Sequence, residues 1–317
     1  MSVKLMNMRQ AYGQALLDEG RANENIVALE ADLGKSTMSI LFGAEFPQRY
    51  FQMGIAEANM ASTAAGLALA GKTAFISSFA VFATGRAYDQ IRSSICIPRL
   101  NVKICGSSAG LSDYGDGKTH QSVDDIALMR VLPNMKVFSP VDAIETVRIV
   151  HAIANIPGPC YIRVNRNDVP VLTDESKPYE FGKAQLMRNG ADAVIFATGY
   201  MVHLALESAK ELETNGISVK VVNVSTIKPL DVEGIRSLAI GVKAAVTVEE
   251  ASVYGGLGSA VCEALSCAPN GARIPVSVMG IQDVFGTSAD NYPELLEAYG
   301  LTSVAITKRV NSTLSLV

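Results

Sequence analysis

The residue best placed for acid–base chemistry is Glu57, in Met53-Gly54-Ile55-Ala56-Glu57-Ala58-Asn59-Met60. It heads a run of small and apolar residues that carries no further charge until Lys72. A carboxylate at a helix N-terminus is commonly just a favourable partner of the helix dipole. In so apolar a setting it can also share a proton with a ligand nitrogen. The segment Ser77-Ser78-Phe79-Ala80-Val81-Phe82 follows. Its two phenylalanines are either core or the walls of an apolar slot for a planar heterocycle. The loop from Gly110 to Gln121 holds Asp113, Asp116 and the single His120. His120 either caps the helix after it or faces a ligand. A long polar loop where a parallel sheet places its ligands favours the second reading. The Gly115-Asp116-Gly117 triplet invites a metal reading, but the Asn-rich end such a motif needs is missing, and Pro133-Asn134-Met135 lies at the wrong spacing. No metal ligand is therefore assigned. Arg9, Ser36 and Arg166 are ordinary singly; together, near element ends, they can hold an anionic head group.

The elements that must position these residues alternate between short β-branched runs and longer helical patterns, the mark of βα units on a mostly parallel sheet. Helices are expected at Arg9–Glu19, closed by Gly20, at Glu57–Ala70, closed by Gly71, and at Arg86–Ile95, Asp124–Arg130 and Asp142–Ala154. Strands are expected at Ile26–Leu29, Thr73–Ile76, Val102–Cys105, Lys136–Phe138 and Tyr161–Val164. The pattern breaks from Asn165 to Lys177 and then restarts. Strands at Ala193–Ala197, Ser218–Val224, Ala244–Val248 and Val276–Met279 then alternate with helices at His203–Thr214, Leu257–Leu265 and Pro293–Tyr299. The fold class is α/β, with two consecutive α/β domains on mostly parallel sheets: residues 1–172, a linker over 173–190, and residues 191–317. The glycine-rich turn after Glu249-Glu250 could hold phosphate; the two acids before it argue instead for packing and a subunit contact.

Composition narrows the function classes. The chain has 317 residues, 49% hydrophobic and 18% charged, enough apolar material for two cores. A formal charge of −4 without a basic run excludes nucleic acid and anionic membrane as natural partners. The N-terminus lacks the apolar core of a signal peptide, and the most apolar stretch, Met60–Phe82, is broken by Lys72; a cytoplasmic location is expected. Five cysteines, none in a CxxC pair, read as small buried hydrophobes in a reducing compartment.

Taken together, Met53–Glu57, Ser78–Phe82, Asp116–Gln121 with its Thr119-His120-Gln121, and Asp125–Met135 with its Leu132-Pro133-Asn134-Met135 resemble the transketolase family, and the resemblance spans essentially the whole chain. Thr226–Asp231 and Glu249-Glu250-Ala251 resemble that family's C-terminal domain, and also the beta subunits of 2-oxo-acid decarboxylases, which are the alternative reading. The chain begins directly with the pyrimidine-binding domain, so it resembles the C-terminal subunit of a split transketolase. The resemblance implies thiamine diphosphate as cofactor, with the diphosphate and Mg²⁺ held mainly by a separate N-terminal subunit, and an α₂β₂ assembly acting on sugars. It implies that Glu57 bonds the aminopyrimidine, that Phe79 and Phe82 line its slot, and that His120 contacts the donor sugar. It further implies that Asp116 binds a sugar hydroxyl and that Arg9, Ser36 and Arg166 hold the sugar's terminal phosphate. A two-carbon ketol unit would pass from a ketose to an aldose. The chain departs from the family in two places. Gly106-Ser107-Ser108-Ala109 stands where a phosphate-facing His is usual, and Asp113-Tyr114-Gly115 stands where Gly and Glu are usual. Both departures point to a branched sugar phosphate or a sulfonated sugar rather than ordinary pentose phosphates.

Overall fold

The structure, a computed structural model, describes residues 4–176, 179–266 and 274–317. The chain opens with β1 (Leu5–Asn7), α1 (Met8–Ala22), β2 (Ile26–Glu30), α2 (Gly34–Thr37), α3 (Ile40–Glu45) and β3 (Tyr50–Gln52). It continues through α4 (Glu57–Leu69), β4 (Thr73–Phe79), α5 (Tyr88–Gln90), β5 (Val102–Ser107) and α6 (Asp125–Val131). β6 (Lys136–Phe138), α7 (Ala143–Asn155), β7 (Cys160–Val164) and β8 (Asp168–Pro170) follow. The second half holds β9 (Gln185–Arg188), β10 (Ala193–Ala197), α8 (Met201–Thr214), β11 (Val219–Asn223), β12 (Thr226–Lys228) and α9 (Val232–Ala239). It ends with β13 (Ala244–Ser252), α10 (Leu257–Ser266), β14 (Val276–Ile281), α11 (Tyr292–Ala298) and α12 (Ser303–Leu314).

The central strands β2, β4, β5 and β7 are buried along their whole length, which is why they read as continuous apolar runs rather than alternating ones. They form a seven-stranded sheet in the order β12-β6-β7-β5-β4-β2-β3, parallel except where β12 meets β6. The second sheet runs β14-β13-β10-β11-β9 and is parallel except for β9 on β11. The two consecutive α/β domains expected from the sequence are thus present.

Several local expectations need correction. Gly20 does not close α1: the helix runs on to Ala22 and is capped at Asn23. Gly20 is needed for packing, because a Cβ there would stand 2.4 Å from the ring of Phe42. The helix expected over Arg86–Ile95 is instead two π-helical segments, Phe82–Arg86 and Ile91–Cys96, with α5 between them. The stretch that begins at Asn165 is not all connection, since β8 pairs antiparallel with β1. The stretch 173–190 contains β9, which belongs to the second sheet. β12, from the second half, closes the edge of the first sheet. Part of the expected linker (Lys177, Pro178) and Cys267 lie outside the described residues.

A buried polar network joins the two halves. Arg163 donates to both oxygens of Asp125 at 2.9 and 3.1 Å and to the Glu250 carbonyl at 3.2 Å. Tyr161 donates to Asp125 at 2.6 Å. Gly106 makes room for that phenol, since a Cβ there would lie 2.3 Å from its oxygen. Glu250 accepts from the Leu111 amide at 2.7 Å and from the Tyr292 hydroxyl at 2.6 Å. Glu249 accepts from the Leu257 and Gly258 amides at 2.7 and 2.8 Å. Its carboxylate therefore occupies the N-terminus of α10, where an anion would otherwise sit; the turn is used for packing, as its two acids suggest.

Candidate active site

Glu57 is the first residue of α4 and is buried. The small residues Ala61, Ala64 and Ala65 let this helix lie close over β4 and the π-helical segments. The Glu57 carboxylate has a partner the sequence did not disclose, accepting from Arg86 Nη1 at 3.0 Å. The same guanidinium lies 4.0 Å over the ring of Phe82. π-helical turns recur at functional sites because the extra residue re-aims side chains, and here one spans Phe82 to Arg86. The one signal for Arg86 was its charge: it is the first charged residue after Lys72.

Phe79 ends β4 and is buried, whereas Phe82 is half-buried. Their rings stack with centroids 6.0 Å apart and planes 15° apart. His120 approaches both edge-on, at 5.3 Å from Phe82 and 6.2 Å from Phe79. Its Nδ1 lies 3.0 Å from the Thr119 hydroxyl. The helix-capping alternative for His120 is not realised, since the residue before α6 is Asp124.

The 110–121 loop is braced by the second domain. Gln121 Nε2 donates to the Asp113 and Thr287 carbonyls at 3.1 and 2.9 Å, and the Ala289 amide donates to the Tyr114 carbonyl at 3.0 Å. Gly117, at φ +72°, packs against Ser288; a Cβ would lie 2.3 Å from that hydroxyl. The 286–289 segment thus shapes the loop, a role without a sequence signal.

Beyond Phe79 the contacts pass to the arginines. Arg166 lies 5.8 Å from the Phe79 ring centroid. Its Nη1 is 2.5 Å from Asp113 Oδ2 and 3.7 Å from Asp116 Oδ2. Burial raises the pKa of Asp113, and Arg166 opposes that shift. Arg9 donates from Nη1 to the Ser36 carbonyl at 3.0 Å. Burial and then the nearby charge of Arg166 lower the Arg9 pKa. Behind Ser36 the loop is fixed by Glu30, which bonds the Leu33 amide and the Thr37 and Ser39 hydroxyls; burial brings its pKa to about 7.

All the candidate residues therefore fall in one band: Glu57, Arg86, Phe82, His120, Phe79, Arg166, Asp116 and Asp113, then Arg9 and Ser36. The band is open to solvent, with the Arg86 and Asp116 side chains about half exposed, at 50% and 52%. A cavity of ≈ 250 Å³ at the domain junction, lined by Glu145, Arg148, Tyr179 and Lys183, holds none of them. Among the described residues, no group of three or more His, Cys, Asp or Glu side chains could hold a metal ion. No helix there is long and apolar enough to cross a membrane.

Comparison with known proteins matches the first half, residues 4–171, to the family model of the transketolase pyrimidine-binding domain, and residues 182–306 to that of the transketolase C-terminal domain. Fold and sequence thus define a pyrimidine-binding domain followed by a transketolase-type C-terminal domain. The chain belongs to the transketolase family. Similar proteins include split-gene subunits. One solved structure, described as a split-gene transketolase in an inactive beta4 tetramer, is 47% identical with a TM-score of 0.88 and covers 98% of this chain and 99% of that one. A 6-deoxy-6-sulfo-D-fructose transketolase subunit of Clostridium sp. (strain MSTE9) is 40% identical over 95% of this chain and 92% of its own length. An apulose-4-phosphate transketolase subunit from Phocaeicola vulgatus is 35% identical over 97% of each chain.

Proposed function

We propose that this chain is the C-terminal subunit of a split transketolase that moves a two-carbon ketol unit from an anionic ketose to an aldose once an N-terminal subunit has joined it. The observation that carries the reading is the continuous band from Glu57 to Arg9. It sets a buried carboxylate and an aromatic pair at one end and two arginines at the other, all from a chain that resembles split-gene subunits along almost its entire length. The family generally uses thiamine diphosphate and a divalent metal. When bound, that cofactor supplies the electron sink for breaking and forming the carbon–carbon bond.

The residues present fit the pyrimidine end of the cofactor: a buried carboxylate able to hold a proton at a ring nitrogen, beside a half-buried aromatic face. The diphosphate and Mg²⁺ would be held mainly by the partner chain, a reading supported by the likeness to a split-gene transketolase. Glu57 would hold the proton at the ring nitrogen. Phe79 and Phe82 would orient the heterocycle and exclude water. His120, on the aromatic pair, would hold the donor's oxygens and shuttle their proton. Asp116 would fix a sugar hydroxyl, and Arg9, Arg166 and Ser36 would hold the sugar's far anion. Two similar proteins are named as a 6-deoxy-6-sulfo-D-fructose transketolase subunit and an apulose-4-phosphate transketolase subunit; both names give an anionic sugar, the class that the arginine pair would hold. The assembly would be α₂β₂; the inactive beta4 tetramer of the similar split-gene protein supports both self-association and a need for a partner.

The test is reconstitution. This chain and its N-terminal partner chain, with thiamine diphosphate, Mg²⁺ and an aldose acceptor, should transfer a two-carbon unit from members of a panel of ketose phosphates and sulfonates, leaving the shortened aldose and the lengthened ketose as products, with neither chain active alone. Turnover by the lone chain, or decarboxylation of pyruvate by the pair with no ketol transfer, would reject the reading.

A further inference from the structure

One charged member of the arginine cluster has no part in the function proposed above. Asp113 is buried, and its Oδ2 lies 2.5 Å from Arg166 Nη1. Asp116 reaches the same nitrogen at 3.7 Å. Arg9 shares this neighbourhood: Arg166 acts on its charge in one direction, Asp113 and Asp168 in the other. Arg9 Nε is buried without a hydrogen-bond partner, an unmet donor at the same place. Two guanidinium groups therefore stand with three carboxylates, Asp113 and Asp116 beside Arg166 and Asp168 near Arg9, and the cluster carries no net positive charge before a ligand arrives. An anion entering here must share Arg166 with Asp113. In a cluster without net positive charge the attraction of the arginines for each ligand charge is offset by the carboxylates. A second negative charge on the ligand thus gains little, while its desolvation cost still rises.

We propose that Asp113 is a specificity-determining residue that converts the Arg9–Arg166 pair from a site for a doubly charged phosphate into one for a singly charged terminal group of the sulfonate type. The inference rests on the functional reading only in assigning that anion to a sugar.

The experiment needs neither partner nor turnover, so its outcome is separable from that of the reconstitution. The full chain is titrated calorimetrically at pH 8 with methyl phosphate, which carries close to two negative charges there, and with methanesulfonate, which carries one. The wild type should bind methanesulfonate at least as tightly as methyl phosphate. Asp113→Asn, nearly isosteric, should improve methyl phosphate by about tenfold relative to methanesulfonate, as expected for removing one adjacent charge. Arg166→Gln should abolish both. The proposal is overturned if the wild type prefers methyl phosphate by about tenfold, if Asp113→Asn changes both anions equally, or if binding ignores Arg166. Should Asp113→Asn fail to fold, Asp113→Ser, which removes the same charge with a smaller side chain, is titrated in its place with the same expected and overturning results.

Discussion

Arg86 holds Glu57 at 3.0 Å while its guanidinium covers the face of Phe82 at 4.0 Å. One side chain thus links the carboxylate and the aromatic surface that the proposed cofactor needs at the same time. In the reconstituted enzyme, Glu57→Gln should lower kcat by about 10²–10⁴, the usual weight of a positioned proton donor or acceptor. Far-UV circular dichroism should be unchanged, because Gln keeps the shape and can still accept from Arg86. Turnover within about threefold of wild type would remove Glu57 from the proton chemistry.

The two stacked phenylalanines should separate by burial. Phe79 is buried at the end of β4, so Phe79→Ala should cost about 3–4 kcal/mol in urea unfolding. Phe82 is half-buried, so Phe82→Ala should cost about 1–2 kcal/mol while weakening thiamine diphosphate binding to the reconstituted pair. Equal stability losses with unchanged cofactor affinity would make both residues purely structural.

The fold was legible because its central strands are buried on both faces: runs such as Val102–Cys105 and Tyr161–Val164 have few other places to go. Glu57, His120 and the arginines stood out as candidates through their position at strand and helix ends. Features made by tertiary packing were hidden. The π-helical turns around Arg86 have an ordinary helical residue pattern, and nothing local marks the extra residue per turn. β12 is three residues long, and its partner β6 lies far earlier in the chain. The meeting of Asp113 with Arg166 depends on two loops from different strands, so the sequence showed two charges and not their pairing.

Stability should fall as pH rises from mildly acidic to alkaline. Burial raises Glu30, Glu145, Glu249 and Glu250 each to about 7, above the carboxyl value of the unfolded chain. Between about pH 4.5 and 7 the folded state then binds more protons than the unfolded state, so stabilisation present at the acidic end is lost as pH rises through 7. The melting temperature should be several degrees higher at pH 5.5 than at pH 8. Glu250→Gln should flatten part of that slope, because it stays neutral throughout. A melting temperature that climbs steadily to pH 8 would contradict this.

The buried Arg163–Asp125 pair should be the most sensitive point of the domain junction. Both side chains are nearly inaccessible, at 6% and 0%, and Arg163 also donates to the Glu250 carbonyl across the junction. Burial of the guanidinium is offset by Asp125, whose two oxygens take two of its donors. Removing one partner of such a pair leaves a buried unpaired charge, a loss of about 3–5 kcal/mol. Asp125→Ala also strands the Tyr161 hydroxyl, which donates to the same carboxylate at 2.6 Å. Replacing both charges, with Asp125→Leu and Arg163→Met together, should recover much of the loss, because the unpaired charge is then gone. Denaturant titrations of the single and double variants measure this directly. If the double variant is as unstable as the sum of the single ones, the pair is not coupled, and the junction is held by Glu250 and Tyr292 instead.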